Sequence, residues 1–165
     1  MPALNAGTRA PEVSLPLLAG GKFDLFAALK NGPVLLAFFK ISCPVCQMTF
    51  PYLERLHKQL GGSKLQIVGV SQNDAGNTSG FCKEYGVTFS IALDETNKYP
   101  ASNAYGLTNV PTLFLVSTDG KIEMSSVGWS RADVQAVADA ASKQGAAKPI
   151  AVFQRNENVP EFKAG

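Results

Sequence analysis

Ser42-Cys43-Pro44-Val45-Cys46 joins two stretches of different period. Before it runs Val34-Leu35-Leu36-Ala37-Phe38-Phe39, apolar at every position, which reads as a central parallel strand covered on both faces. After it, from Gln47 to Leu60, Phe50, Leu53, Leu56 and Leu60 recur at helical spacing, with Cys46 at the head of the same stripe. Cys43 falls at the N-cap. Pro44 falls at the first helical position, where a missing N–H costs nothing. A dithiol therefore sits where a buried strand hands over to a helix. Free N–H groups and a partial positive charge gather at such a junction, and both favour a thiolate. Cys46 points toward the core and Cys43 stands at the tip. Pro51 should kink the helix, and Gly61-Gly62 should end it.

The flanking pattern is α/β. Leu65 to Val70 reads as a second buried strand, and the helix between the two makes a parallel crossover pair. On the N-terminal side, Pro11 to Leu18 reads as an edge strand, Gly20-Gly21 as a turn and Lys22-Phe23 as the return. Asp24 should cap a short helix over Leu25 to Lys30. Further on come a helix at Thr78 to Tyr85 closed by Gly86, an extended piece at Ile91 to Leu93, and a short helix at Tyr99 to Tyr105. Leu113 to Val116 and Lys121 to Val127 flank the turn Ser117-Thr118-Asp119-Gly120. Ser130 should cap the last helix, Arg131 to Gln144. These elements fill residues 1–145 as one domain. Residues 146–165 read as an extension with no clear period, with one strand at Ile150 to Phe153 and then a polar tail.

The chain has 165 residues, 45% of them hydrophobic, and a formal net charge of +2. One domain of that size buries roughly 70% of its unfolded surface. Lys and Arg are scattered, so no nucleic-acid partner is expected. No stretch approaches the ~18 apolar residues of a membrane span. Met1 to Pro11 lacks a basic start and a long apolar run. The sequence as given therefore reads as cytoplasmic, and as periplasmic or exported if a leader has been removed.

Three cysteines cannot all pair, so this is no disulfide scaffold. The Cys43/Cys46 pair admits three readings. One is a metal or metallochaperone site, for which Cys43, Cys46, Cys82 and His57 make up a possible set of four ligands. His57 lies mid-helix, however, and Pro44 after a buried strand is unlike a zinc knuckle. The second is an inert disulfide, but a two-residue gap constrains the unfolded chain least. The third is a redox dithiol, which needs an exposed, ionisable thiol to attack and a second thiol to resolve the mixed disulfide. Helix position provides that contrast, and no cofactor is needed. Lys40 adds a charge nearby. Cys82, in Phe81-Cys82-Lys83, reads as a half-buried helical thiol, His57 as a surface residue and Trp129 as part of the core or its rim.

Several motifs together carry a resemblance. Cys43-Pro44-Val45-Cys46 is followed by Pro51, then Tyr105-Gly106-Leu107, Val110-Pro111-Thr112 and Asp119-Gly120. The start is Ala10-Pro11-Glu12-Val13-Ser14-Leu15-Pro16. The set resembles the thioredoxin superfamily, in its redoxin branch of TlpA/ResA-like oxidoreductases and the related alkyl hydroperoxide reductase/thiol-specific antioxidant family. The likeness runs from about Gly7 to Gln144. It implies a central mixed sheet flanked by helices, with an extra N-terminal hairpin. It also implies thiol–disulfide exchange with proteins that contain disulfides or dithiols, and with an electron donor or acceptor thiol protein. Cys43 would be the nucleophile and Cys46 the resolving thiol. Pro44, Val110 and a cis Pro111 would face the substrate, with Val110 offering backbone groups to an extended segment. A thiol-dependent peroxidase is the alternative. Peroxidases of that kind place Pro and Thr seven and three residues before the reactive cysteine, where Cys43 has Leu36 and Lys40. Family members often carry Trp where this chain has Ser42. The acidic proton carriers of thioredoxins and ResA-like proteins are replaced by Ala37 and Thr49.

Overall fold

A computed structural model describes residues 3–165; Met1 and Pro2, the first residues of the expected domain and of the segment read for a leader, lie outside the described residues. The central strand is β3 (Val34–Phe39), buried at all six positions. It pairs in parallel with β4 (Gln66–Ser71), which pairs in parallel with β5 (Ser90–Leu93). On its other side β3 pairs antiparallel with β6 (Thr112–Val116), and β6 with β7 (Ile122–Val127). The mixed sheet thus runs β5-β4-β3-β6-β7. The N-terminal hairpin, β1 (Ser14–Pro16) with β2 (Lys22–Asp24), bonds to the β5 edge through Leu18 N–H and the Ile91 carbonyl at 2.8 Å.

Strand alternation sorts β3 onto two cores. Leu35, Ala37 and Phe39 face one layer, which includes α2 (Pro44–His57) and α5 (Arg131–Lys143). Leu36 and Phe38 face the other, with the hairpin, α1 (Leu25–Ala28) and Ala101 of α4 (Pro100–Ala104). The stripe Cys46, Phe50, Leu53 and Leu56 of α2 is wholly buried, and the Phe39 and Phe50 rings lie 4.2 Å apart. Each such aliphatic or aromatic side chain contributes roughly 1.5–3 kcal/mol. Glu54 is buried on the same helix. Its carboxylate accepts from Thr88 N–H at 2.7 Å, Thr88 Oγ1 at 2.5 Å and Phe89 N–H at 3.3 Å, so the charge has partners and ties α2 to the loop after α3 (Ala75–Tyr85).

Several local expectations shift. The α2 helix stops at His57, before Gly61-Gly62. Asp24 precedes α1 but makes no side-chain cap; its carboxylate accepts from Ser14 Oγ across the hairpin at 2.7 Å. Asp74 caps α3 by accepting from Asn77 N–H, which starts that helix earlier than Thr78. His57 is half-buried rather than on the surface, with its ring edge toward Phe89 and Nδ1 buried without a partner.

The largest difference is residues 146–165. Ile150 to Phe153 is not a strand, and the segment is not a polar tail. It folds back over α2 and α5. Val152 and Val159 are buried, and Phe153 stacks near Tyr52 and Trp129. Arg55 grips it by a paired bond to Glu157 and another to the Val152 carbonyl. The strand in this region is β9 (Phe162–Lys163), antiparallel to β8 (Trp129–Ser130). Spaced apolar residues with no period hid this, because the segment packs without regular structure. Val152→Ala removes two buried methyl groups, so it should lower stability in urea by about 2 kcal/mol. No change would mean that the segment is not part of the core.

Candidate active site

The end of β3 and the start of α2 bring the two cysteines together. Cys43 is the N-cap, and Pro44 is the exposed first helical residue. The Cys46 N–H donates to Cys43 Sγ at 3.2 Å, a capping bond made by sulfur. Such a bond stabilises charge on the sulfur when the thiol ionises. Cys43 is partly exposed, whereas Cys46 is wholly buried. The approach loop is pinned at Ile41. Its N–H donates to Asn73 Oδ1 at 3.0 Å, and its carbonyl accepts from Gln47 Nε2 at 2.9 Å. Neither Asn73 nor Gln47 stood out in the sequence. Only their bonds to Ile41 in the folded chain reveal their part.

Val110 and Pro111 arrive from the start of β6. Their peptide bond is cis, and the Val110 carbonyl accepts from Cys43 Sγ at 3.4 Å. Pro111 is buried, and its carbonyl accepts from Gly128 N–H at 2.8 Å. Cys43, Cys46, Val110 and Pro111 thus form one cluster, with Pro44 on its rim. A polar cavity of about 240 Å³ opens beside it, lined in part by Lys40, Gln72, Asn103, Asn109 and Val110.

All three cysteines are free thiols. Burial pushes the Cys46 thiol far up, and its hydrogen bond with Cys43 adds to the effect. Lys40 opposes this only weakly. Thr49 offers Cys46 no acidic group; its hydroxyl donates to the Val45 carbonyl within the helix at 2.7 Å. Cys82 lies on α3, and its thiol is pushed up by burial and by the Glu54 carboxylate. Among the described residues, no three or more His, Cys, Asp or Glu side chains are grouped so as to hold a metal ion. The four ligands considered from the sequence are therefore not brought together.

A family model described as the AhpC/TSA family matches residues 6–125. Thiol-disulfide oxidoreductase ResA of Bacillus subtilis (strain 168) is 30% identical over 121 residues, covering 73% of this chain and 66% of that protein. The thioredoxin domain of a thiol-disulfide oxidoreductase from Bacteroides vulgatus superposes with a TM-score of 0.74 at 21% identity, covering 84% of this chain and 98% of that one. A thiol-disulfide oxidoreductase from Bacteroides fragilis superposes with a TM-score of 0.71 at 23% identity, covering 81% and 99%. At those identities the two structures speak for the fold alone.

The raised Cys46 thiol has a consequence for stability. The unfolded chain releases this proton near the ordinary value of 9.0, and the folded chain releases it only at higher pH. Its contribution is therefore complete below pH 9.0 and is lost as pH rises further. With reductant present, urea stability of the native sequence should fall more steeply above that pH than in Cys46→Ala. Parallel pH profiles would contradict the assigned environment.

Proposed function

This chain belongs to the AhpC/TSA family, and from that premise we propose that it exchanges disulfides with protein substrates through Cys43 and Cys46. It is a thiol–disulfide oxidoreductase with a thioredoxin-like fold: a central mixed sheet, flanking helices and an extra N-terminal hairpin. No described helix is long and apolar enough to cross a membrane.

The observation that carries the assignment of roles is the contrast across one helical turn. Cys43 is partly exposed at the N-cap, and Cys46 is wholly buried behind it with its N–H on the Cys43 sulfur. Cys43 Sγ attacks one sulfur of a substrate disulfide. A Cys43–substrate S–S bond forms, the substrate's own S–S bond breaks, and the leaving sulfur takes the electron pair and a proton. Cys46 then attacks Cys43 Sγ. The Cys43–Cys46 disulfide forms, and the second substrate sulfur leaves as a thiol. Two electrons and the two dithiol protons have then passed to the substrate. The reverse sequence oxidises a substrate dithiol, and a partner thiol protein resets the centre in either direction. Desolvation keeps Cys46 neutral until the mixed disulfide forms, so it does not compete with Cys43 for the first attack. Thr49 and Ala37 supply no proton acceptor, so the departing substrate thiolate is the base that the scheme itself provides.

Val110 is the backbone partner of an extended substrate segment. Its carbonyl sits at the attacking sulfur, and Pro44 and Pro111, next in sequence to Cys43 and Val110, are the further residues proposed to face the substrate. The peroxidase alternative has less support, since Leu36 and Lys40 stand where Pro and Thr belong.

The roles predict opposite failures. Cys43→Ser should abolish reaction with any disulfide substrate. Cys46→Ser should still attack, fail to resolve, and accumulate mixed disulfides visible on non-reducing gels. If only Cys43→Ser trapped substrate, the roles would be inverted.

A further inference from the structure

The segment after α5 runs to the Val110 carbonyl that accepts from Cys43. Val152 and Val159 anchor it in the core. Trp129 Nε1 donates to the Pro160 carbonyl at 2.6 Å, and Arg131 N–H to the Glu161 carbonyl at 3.0 Å. The β9 strand then pairs with β8, with Lys163 opposite Trp129. Past β9, the Gly165 carbonyl accepts from Asn109 Nδ2 at 3.3 Å.

Two glycines make this path possible. A Cβ on Gly128, which has φ +79°, would lie 2.5 Å from the Lys163 carbonyl oxygen and 3.2 Å from the Gly165 nitrogen. A Cβ on Gly165 would overlap the Val110 carbonyl oxygen and lie 2.9 Å from the Val110 carbonyl carbon. Residues 163–165 therefore lie directly on the backbone of Gly128 and Val110. The same Val110 carbonyl accepts from Cys43 Sγ. A second backbone cannot occupy the space that Gly165 fills.

We propose that residues 163–165 are the resting occupant of the groove beside Cys43, and that an extended substrate segment binds by displacing them. The inference rests on Val110 being the backbone partner of the substrate. The occupant also indicates what the groove takes: an extended backbone with glycine over Val110, because a Cβ there already meets the carbonyl. The segment is built to let go at this end. Val159 is buried, but Phe162 and Lys163 are exposed and β9 has only two residues, so local opening needs little core to be undone. While closed, the segment raises the apparent KM by the inverse of the open fraction and leaves kcat alone.

The test uses the full chain and two variants, Gly165→Ala and Gly165→Phe, which leave the core and both cysteines untouched. The substrate is a synthetic peptide disulfide with glycine beside one cysteine, and dithiothreitol is the donor. In Gly165→Phe, hydrogen exchange at residues 162–165 should quicken, and KM should fall about three- to tenfold at unchanged kcat. Gly165→Ala should lie between. Unchanged KM despite faster exchange would overturn the proposal. So would unchanged exchange, or a raised KM, which would make the segment a wall of the groove and not its occupant. Absence of turnover in all three chains would overturn the exchange reading, and this inference with it.

Discussion

The N–H of Cys46 reaches the Sγ of Cys43 across 3.2 Å, and that contact fixes where α2 begins. It places one sulfur on the solvent side of the helix start and the other on the core side. The α2 helix can begin there because β3 delivers the chain at that point, and β3 is held by two neighbours and covered by two cores. Ile41, pinned by Asn73 and Gln47, holds the loop between them. The chemical asymmetry of two identical side chains is therefore a product of burial. Desolvation is the largest influence on Cys46, larger than any nearby charge.

Much of this was legible in the sequence because the decisive elements are local. An unbroken apolar run reads as a strand covered on both faces, and β3 is that strand. The Cys43-Pro44 start of α2, the Gly86 end of α3 and the Ser130 cap of α5 also stand where the residue types place them. The cis Val110–Pro111 bond came from family resemblance and not from local chemistry, and the structure has it.

What was not legible depends on residues distant in sequence. Asp24 carries the composition of a cap, yet Ser14 takes its carboxylate once the hairpin closes. His57 sits among charged neighbours and still lies half-buried, because Phe89 comes to its ring from the loop after α3. Residues 146–165 have no period for a pattern to detect. Arg55, Trp129 and Gly128 hold them in place, and each of those has an ordinary reading on its own. At Gly128 the positive φ and the missing Cβ leave room for another backbone to come close, which only the folded chain shows.

The central claim is that burial of Cys46 is the main cause of the division of labour between the two thiols. The direct measurement is the rate of iodoacetamide labelling at each cysteine of the reduced native chain, resolved by mass spectrometry across pH. Cys43 should take label at neutral pH, with Cys46 unlabelled until the pH is strongly alkaline or the chain is unfolded. Labelling of Cys46 in the folded protein at neutral pH, as fast as Cys43 or faster, would contradict the account.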